Sequence, residues 1–255
     1  MVTRDMPWPA GTPCWVDVSV DDVAKASSFY EALFGWDIRS GGPEAGGYAI
    51  AHKNGRIAAG VGPKMGDPAQ PSVWTTYLAA EDADATAGKI KAAGGQLLVE
   101  PMDVLKEGRM ALAVDPAGAV FGLWESGNTA GIGLANEPGS LCWNEQLSGD
   151  FAASKAFYRA VFGYEYQDMS GDGFSYAMVM VDGHEVGGIG SQQDDAPAGW
   201  FAYFAVADTD ASLAQAQGLG GTVVRPGWDS EYGRMAGLTD DQGAMLFLVT
   251  APAQG

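Results

Sequence analysis

Two carboxylates stand where this chain has the means to do chemistry. Asp17 lies two residues after Trp15, in Cys14-Trp-Val-Asp, and Glu145 lies two residues after Trp143, in Cys142-Trp-Asn-Glu. Residues two apart on a strand share a face, so each acid keeps company with an indole. A carboxylate among aromatic side chains binds its proton more tightly, which suits a general base, or it fixes a cationic ligand. Tyr77 and Tyr203 recur in the same way and are the natural proton donors beside Asp17 and Glu145. Arg109 and Arg234 occupy matched Gly-Arg-Met turns, where an arginine either anchors a loop or grips an anion. The chain has two histidines. His184 is adjacent to Glu185, and neighbours on a strand point to opposite faces and cannot chelate one ion together. His52 abuts an Asn-Gly turn, and both histidines read as surface residues.

The elements that position these groups occur twice. Cys14 to Trp36 reads CWVDVSVDDVAKASSFYEALFGW, and Cys142 to Tyr164 reads CWNEQLSGDFAASKAFYRAVFGY, at a constant offset of 128 residues. Further on, Pro71-Ser-Val-Trp74 matches Pro197-Ala-Gly-Trp200 and Tyr77 matches Tyr203 at an offset of 126; Gly108-Arg-Met110 matches Gly233-Arg-Met235 at 125. A period this long marks a duplicated domain rather than a solenoid. Within each copy a strand-helix-strands pattern appears twice. Residues 14–20 alternate as a strand. Asp21 or Asp22 caps a helix whose Val23, Ser27, Tyr30 and Phe34 share a face, and Gly35 stops it. Strands at 48–52 and 56–61 meet across Asn54-Gly55, a strong hairpin signal. After a Pro-rich connector at 62–72 come a strand at 73–80, a helix at 83–93, and strands at 96–100, 110–114 and 120–125. The Gly- and Asn-rich stretch 126–140 separates the copies, giving domains of 12–126 and 139–251. The fold class is α+β, from four βαβββ modules in two tandem pairs.

Composition narrows the function. A hydrophobic content of 47% provides for two cores. A net charge of −18 argues against nucleic acid and against anionic lipid. No apolar run reaches the roughly 20 residues that cross a bilayer, and the first residues lack a signal-like apolar region. Cys14 and Cys142 are repeat-equivalent and read as core thiols, consistent with a reducing cytoplasm. A small-molecule ligand is expected, with no nucleic-acid or membrane partner, in a monomer or homodimer.

The helix ends SSFYEALFGW and KAFYRAVFGY, the turn-strands DPAGAVFGLWE and DDQGAMLFLVT, and the module order resemble the vicinal oxygen chelate superfamily of glyoxalases, bleomycin-resistance proteins and extradiol dioxygenases. The resemblance covers about residues 12 to 251 and implies that paired modules curl into a cupped mixed sheet with helices outside. It leaves open whether a cup forms from neighbouring modules or by exchange between halves. Enzymes of the superfamily hold a divalent metal at the base of the cup on His, Gln or Glu side chains. The corresponding positions here are Trp15, Ala59 or Gly60, Trp74 or Thr75, and Gly122, then Trp143, Gly187 or Gly188, Trp200 or Phe201, and Phe247. None is a metal ligand, so no metal and no cofactor are expected. Trp15, Trp143, Trp74, Trp124, Trp200, Phe201 and Asn144 are expected to contact the ligand, with Gly60, Gly122 and Gly188 leaving room in the cups. Three functions fit. The first is a metal-independent lyase, isomerase or hydroxylase acting on an aromatic or polyketide-like metabolite through Asp17, Glu145, Tyr77 and Tyr203. The second is a drug-sequestering protein of bleomycin-resistance type. The third is a divergent metal-dependent glyoxalase or dioxygenase.

Overall fold

The computed structural model describes residues 2–66, 69–192 and 198–250; Pro197 and Ala251, which enter the repeat match and the second domain bound, lie outside the described residues. The first half carries β1 (Val2–Thr3), β2 (Pro13–Val20), α1 (Val23–Phe34), β3 (Asp37–Ser40), β4 (Ala49–Lys53), β5 (Arg56–Pro63), β6 (Val73–Ala79), α2 (Ala83–Ala92), β7 (Gln96–Val104), β8 (Gly108–Val114) and β9 (Val120–Ser126). The second half carries β10 (Leu134–Ala135), β11 (Leu141–Ser148), α3 (Phe151–Phe162), β12 (Glu165–Asp168), β13 (Tyr176–Val181), β14 (His184–Ser191), β15 (Gly199–Ala205), α4 (Thr209–Gly218), β16 (Thr222–Ser230), β17 (Gly233–Thr239) and β18 (Met245–Thr250).

Local chemistry sets these boundaries. Asp22, Asp82, Asp150 and Asp208 each accept the backbone N–H three residues on, capping the four helices. Such a cap contributes about 1 kcal/mol. Gly35 and Gly163 end α1 and α3 at φ 66° and 74°, a left-handed conformation that glycine adopts without strain. Asn54-Gly55 and Asp182-Gly183 turn the matched hairpins with positive φ at both central residues, the backbone that a two-residue turn demands.

Two sheets have eight strands each, from two consecutive modules of one half, in the orders β3-β4-β5-β2-β6-β9-β8-β7 and β12-β13-β14-β11-β15-β18-β17-β16; a third, two-stranded sheet pairs β1 with β10. Neighbouring modules therefore build each cup. The module-leading strands meet antiparallel at the centre, β2 on β6 and β11 on β15, each flanked by a parallel partner. Helix packing, the β1–β10 pair and contacts of β6 with β15 link the halves. Tyr30 of α1 donates to Asp240 beyond β17 (2.7 Å) and accepts from Trp74 Nε1 (2.9 Å). In the other direction, Tyr158 of α3 donates to Asp115 beyond β8 (3.1 Å) and accepts from Trp200 Nε1 (2.7 Å). Phe204 packs within 4.9 Å of Phe34 and 5.0 Å of Trp74, ring centroid to centroid. The helix-bearing faces of the two sheets thus share a core of two mixed clusters, one around α1 and α4 and one around α2 and α3, in which each large aromatic buried contributes about 1.5–3 kcal/mol. The opposite faces are left as the inner walls of two cups.

Candidate functional site

On β2, alternation divides the side chains cleanly. Val16 and Val18 point into the shared core at 0% exposure, whereas Trp15 and Asp17 on the inner face keep 6% and 7%. Cross-strand pairing brings Tyr77 opposite Trp15 and Thr75 opposite Asp17. Trp124 on β9 stacks on Trp15, with ring centroids 6.3 Å apart. One carboxylate sits at the base of these rings. Asp17 Oδ2 accepts from the hydroxyls of Tyr48 (2.9 Å) and Tyr77 (3.0 Å), and Trp15 Nε1 donates to the Tyr48 oxygen (3.1 Å). Asp17 Oδ1 is buried and has no partner among the described residues. Burial raises the Asp17 carboxyl to about 6, against the lowering effect of the two phenol donors. It therefore changes charge near neutrality while one oxygen is held by two phenols and the other is buried without a partner among the described residues.

The second cup repeats the theme with different walls. Tyr203 donates to Glu145 Oε2 at 2.5 Å, and Trp143 Nε1 donates to the Tyr176 hydroxyl at 3.2 Å. Burial raises the Glu145 carboxyl, partly offset by hydrogen bonds from Tyr203 and Tyr176 and by the charge of Arg225. Phe247 stacks on Tyr203 at 4.6 Å and meets the edges of Phe201 and Trp228. Glu145, Trp143, Tyr176 and Trp228 are only half-buried, so this cup is the more open of the two.

Three expected ligand contacts stand on the wrong face. Trp74 and Trp200 are strand neighbours of Thr75 and Phe201, and the one-residue step turns them into the shared core, where they donate to Tyr30 and Tyr158. Asn144, between Trp143 and Glu145, likewise points across the interface and accepts from Thr76 Oγ1 at 2.8 Å. Tyr77 and Tyr203, expected as proton donors to a ligand, have their hydroxyl protons committed to Asp17 and Glu145. Burial foremost, with those charges, holds both phenols well above the usual range, which makes them poor acids. The glycines also act differently from expectation. A Cβ on Gly60 would come within 1.8 Å of the Tyr48 hydroxyl, on Gly188 within 1.9 Å of that of Tyr176, and on Gly122 within 2.0 Å of the Tyr77 ring. They make room for tyrosines, not for ligand. Tyr48 and Tyr176 were missed from sequence, although they share the 128-residue offset of Trp15 and Trp143. Arg109 bridges Asp84 and Asp103, and Arg234 bridges Asp210 and Asp229, so both anchor their hairpins to the preceding helices. Two clefts elsewhere, about 400 Å³ beside Glu81 and Glu165 and about 140 Å³ beside Trp8 and Cys14, hold neither carboxylate–tyrosine cluster.

The glyoxalase/bleomycin resistance protein/dioxygenase superfamily profile matches residues 14–123 and again 143–248. The chain belongs to this superfamily. Among curated relatives, "Putative glyoxylase CFP32" of Mycobacterium tuberculosis is 39% identical over 250 residues, covering 95% of each chain. "Anthracycline biosynthesis protein DnrV" of Streptomyces peucetius is 36% identical over 256 residues, covering 94% of this chain and 93% of that one. Among solved structures, the Mn(II)-bound glyoxalase from Novosphingobium aromaticivorans superposes with a TM-score of 0.65 at 16% identity, covering 94% of this chain and 83% of that one. The 2,2',3-trihydroxybiphenyl 1,2-dioxygenase of Sphingomonas wittichii gives 0.65 at 14% identity, over 95% and 91% of the two chains. Those two likenesses concern the fold.

The superfamily implies a divalent metal, and the inner-face donors do not fit one. Three or four imidazole, thiolate or carboxylate groups must converge for such an ion. Each cup offers one carboxylate whose bound oxygen accepts from phenols, and no group of three His, Cys, Asp or Glu side chains gathers among the described residues. Among those residues, too, no helix is long and apolar enough to cross a membrane.

Proposed function

We propose that the protein binds a planar aromatic or polyketide-like metabolite in the first cup and relocates a proton on it without a metal. The observation that carries this reading is the Asp17 carboxylate: one oxygen held by two phenols, the other buried and unpartnered, beneath stacked indoles. Apolar aromatic walls with a few placed polar groups are the usual make-up of a small-molecule site. The kinship with anthracycline biosynthesis proteins supports a polycyclic polyketide as the ligand class. A ring system lying against Trp15 and Trp124 would present an acidic C–H beside a carbonyl to Asp17 Oδ1. The carboxylate takes the proton, the C–H electron pair moves onto the carbonyl as an enolate conjugated with the ring system, and Asp17 returns the proton at a conjugated carbon. No oxidant or second substrate is needed. Tyr48 and Tyr77 are positioning residues: they fix the carboxylate and keep enough of it ionised to act as a base at neutral pH.

The test is hydrogen–deuterium exchange at the central carbon of an aryl β-dicarbonyl probe in D2O, followed by NMR. Wild-type protein should accelerate exchange after treatment with a chelator, and Asp17→Asn should abolish the acceleration while the probe still binds. Exchange that needs added divalent metal, or that survives Asp17→Asn, contradicts the reading. A second reading draws on the ionised Asp17 in an aromatic cup within a chain of net charge −18: sequestration of a cationic drug. Tight binding of a polycyclic amine with no exchange of any probe would favour it.

A further inference from the structure

The two cups share their carboxylate–tyrosine core but differ at one edge. At an offset of 126 residues, Arg225 on β16 takes the place of Val99 on β7, and Trp228 takes the place of Met102. The Arg225 guanidinium lies over the Trp228 ring, 3.7 Å from its centroid. Its Cβ approaches the space above Gly237, the same space the Phe247 ring approaches, which puts Arg225 on the inner face of the second sheet. Trp228 in turn meets the Phe247 edge at 6.3 Å.

This arginine is unusual in a chain with 32 acidic and 14 basic side chains. Arg39, Arg56, Arg109 and Arg234 each pair with an aspartate. Arg225 has neither an ion pair nor a hydrogen bond among the described residues, and it is exposed. A guanidinium seated over an indole face can still offer N–H groups to a planar anion, which it can bind through two parallel hydrogen bonds. The half-buried Trp143 and Trp228 and the nearly buried Phe201 and Phe247 supply ring surface beside it.

From this geometry we infer that the second cup is a separate binding site for a planar aromatic acid. The carboxylate of the ligand pairs with Arg225, its ring lies among Trp143, Trp228 and Phe247, and a hydroxyl on its far side reaches Glu145. The first cup has Val99 at the position of Arg225, so it lacks the first of these contacts there. The site stands whether or not Asp17 moves a proton in the other cup.

Titration calorimetry of the full chain with anthraquinone-2-carboxylate and with its neutral methyl ester tests this. Wild type should bind the acid at least about tenfold more tightly than the ester, the scale of one charge-assisted bidentate contact. Arg225→Gln, at an exposed position where folding is not at stake, should erase that preference. Arg39→Gln, which removes an exposed arginine paired only with Asp37, should keep it. Equal affinity for acid and ester, no binding of the acid, or a preference that survives Arg225→Gln would each overturn the inference.

Discussion

Replacing Asp17 by Asn separates the pH dependence of one buried group from everything else in the chain. Its folded-state value is about 6, against an unperturbed 3.8, because burial disfavours the carboxylate more than Tyr48 and Tyr77 favour it. A raised value means that the folded chain holds this proton more tightly than the unfolded chain does. The resulting stabilisation is complete below the unfolded value and is lost as pH rises through the folded one. With those two values, the group contributes about 1.4 kcal/mol at pH 5 and essentially nothing at pH 8. The difference in unfolding free energy between wild type and Asp17→Asn, from urea titrations, should therefore move by about 1.4 kcal/mol in favour of wild type between pH 8 and pH 5. In thermal melts that is a shift of about 3–6 °C for a chain of this size. Other carboxylates cancel in the comparison, since both proteins share them. A difference that stays flat over this range would refute the buried-base argument, and a movement of opposite sign would mean that the phenols outweigh burial.

Other outcomes follow from the same contacts. Tyr48→Phe removes one donor to Asp17 and the acceptor of the Trp15 N–H, so it should cost about 1–3 kcal/mol in denaturant titration. The same change should move the pH midpoint of probe exchange upward, because a lowering influence on Asp17 is lost. Gly122→Ala drives a methyl group into the Tyr77 ring and should destabilise by about 1–3 kcal/mol while also weakening ligand binding in the first cup. Phe204→Ala empties the aromatic cluster between the halves and should cost about 3–5 kcal/mol, with the two halves still unfolding in one transition.

Much of this architecture was legible in the sequence. The repeat fixed two copies of two modules, and the capping aspartates, the helix-ending glycines and the Asn-Gly and Asp-Gly turns marked where elements begin and end. Strand parity placed Trp15, Asp17, Tyr77 and Trp124 on one face. It failed at Trp74, Trp200 and Asn144 because a reading good to one residue cannot choose between the two faces of a strand. The glycines misled for a different reason. A missing side chain is read as empty space, yet Tyr48 reaches in from the turn before β4, Tyr176 from β13, and Tyr77 from the strand beside Gly122. Such long-range filling leaves only a faint trace, the shared offset of the two tyrosines. Arg225 left a trace of another kind: it breaks the repeat, standing where the first copy has Val99.

The central claim is that these cups bind organic molecules and lack the donors for a metal. Native mass spectrometry of gently purified protein, before and after incubation with excess Mn, Fe, Ni and Zn, tests it directly. The account predicts the bare polypeptide mass, or that mass with an organic adduct, and no stoichiometric ion in any sample. One or two divalent ions held per chain and lost in the Asp17→Asn and Glu145→Gln variants would contradict it.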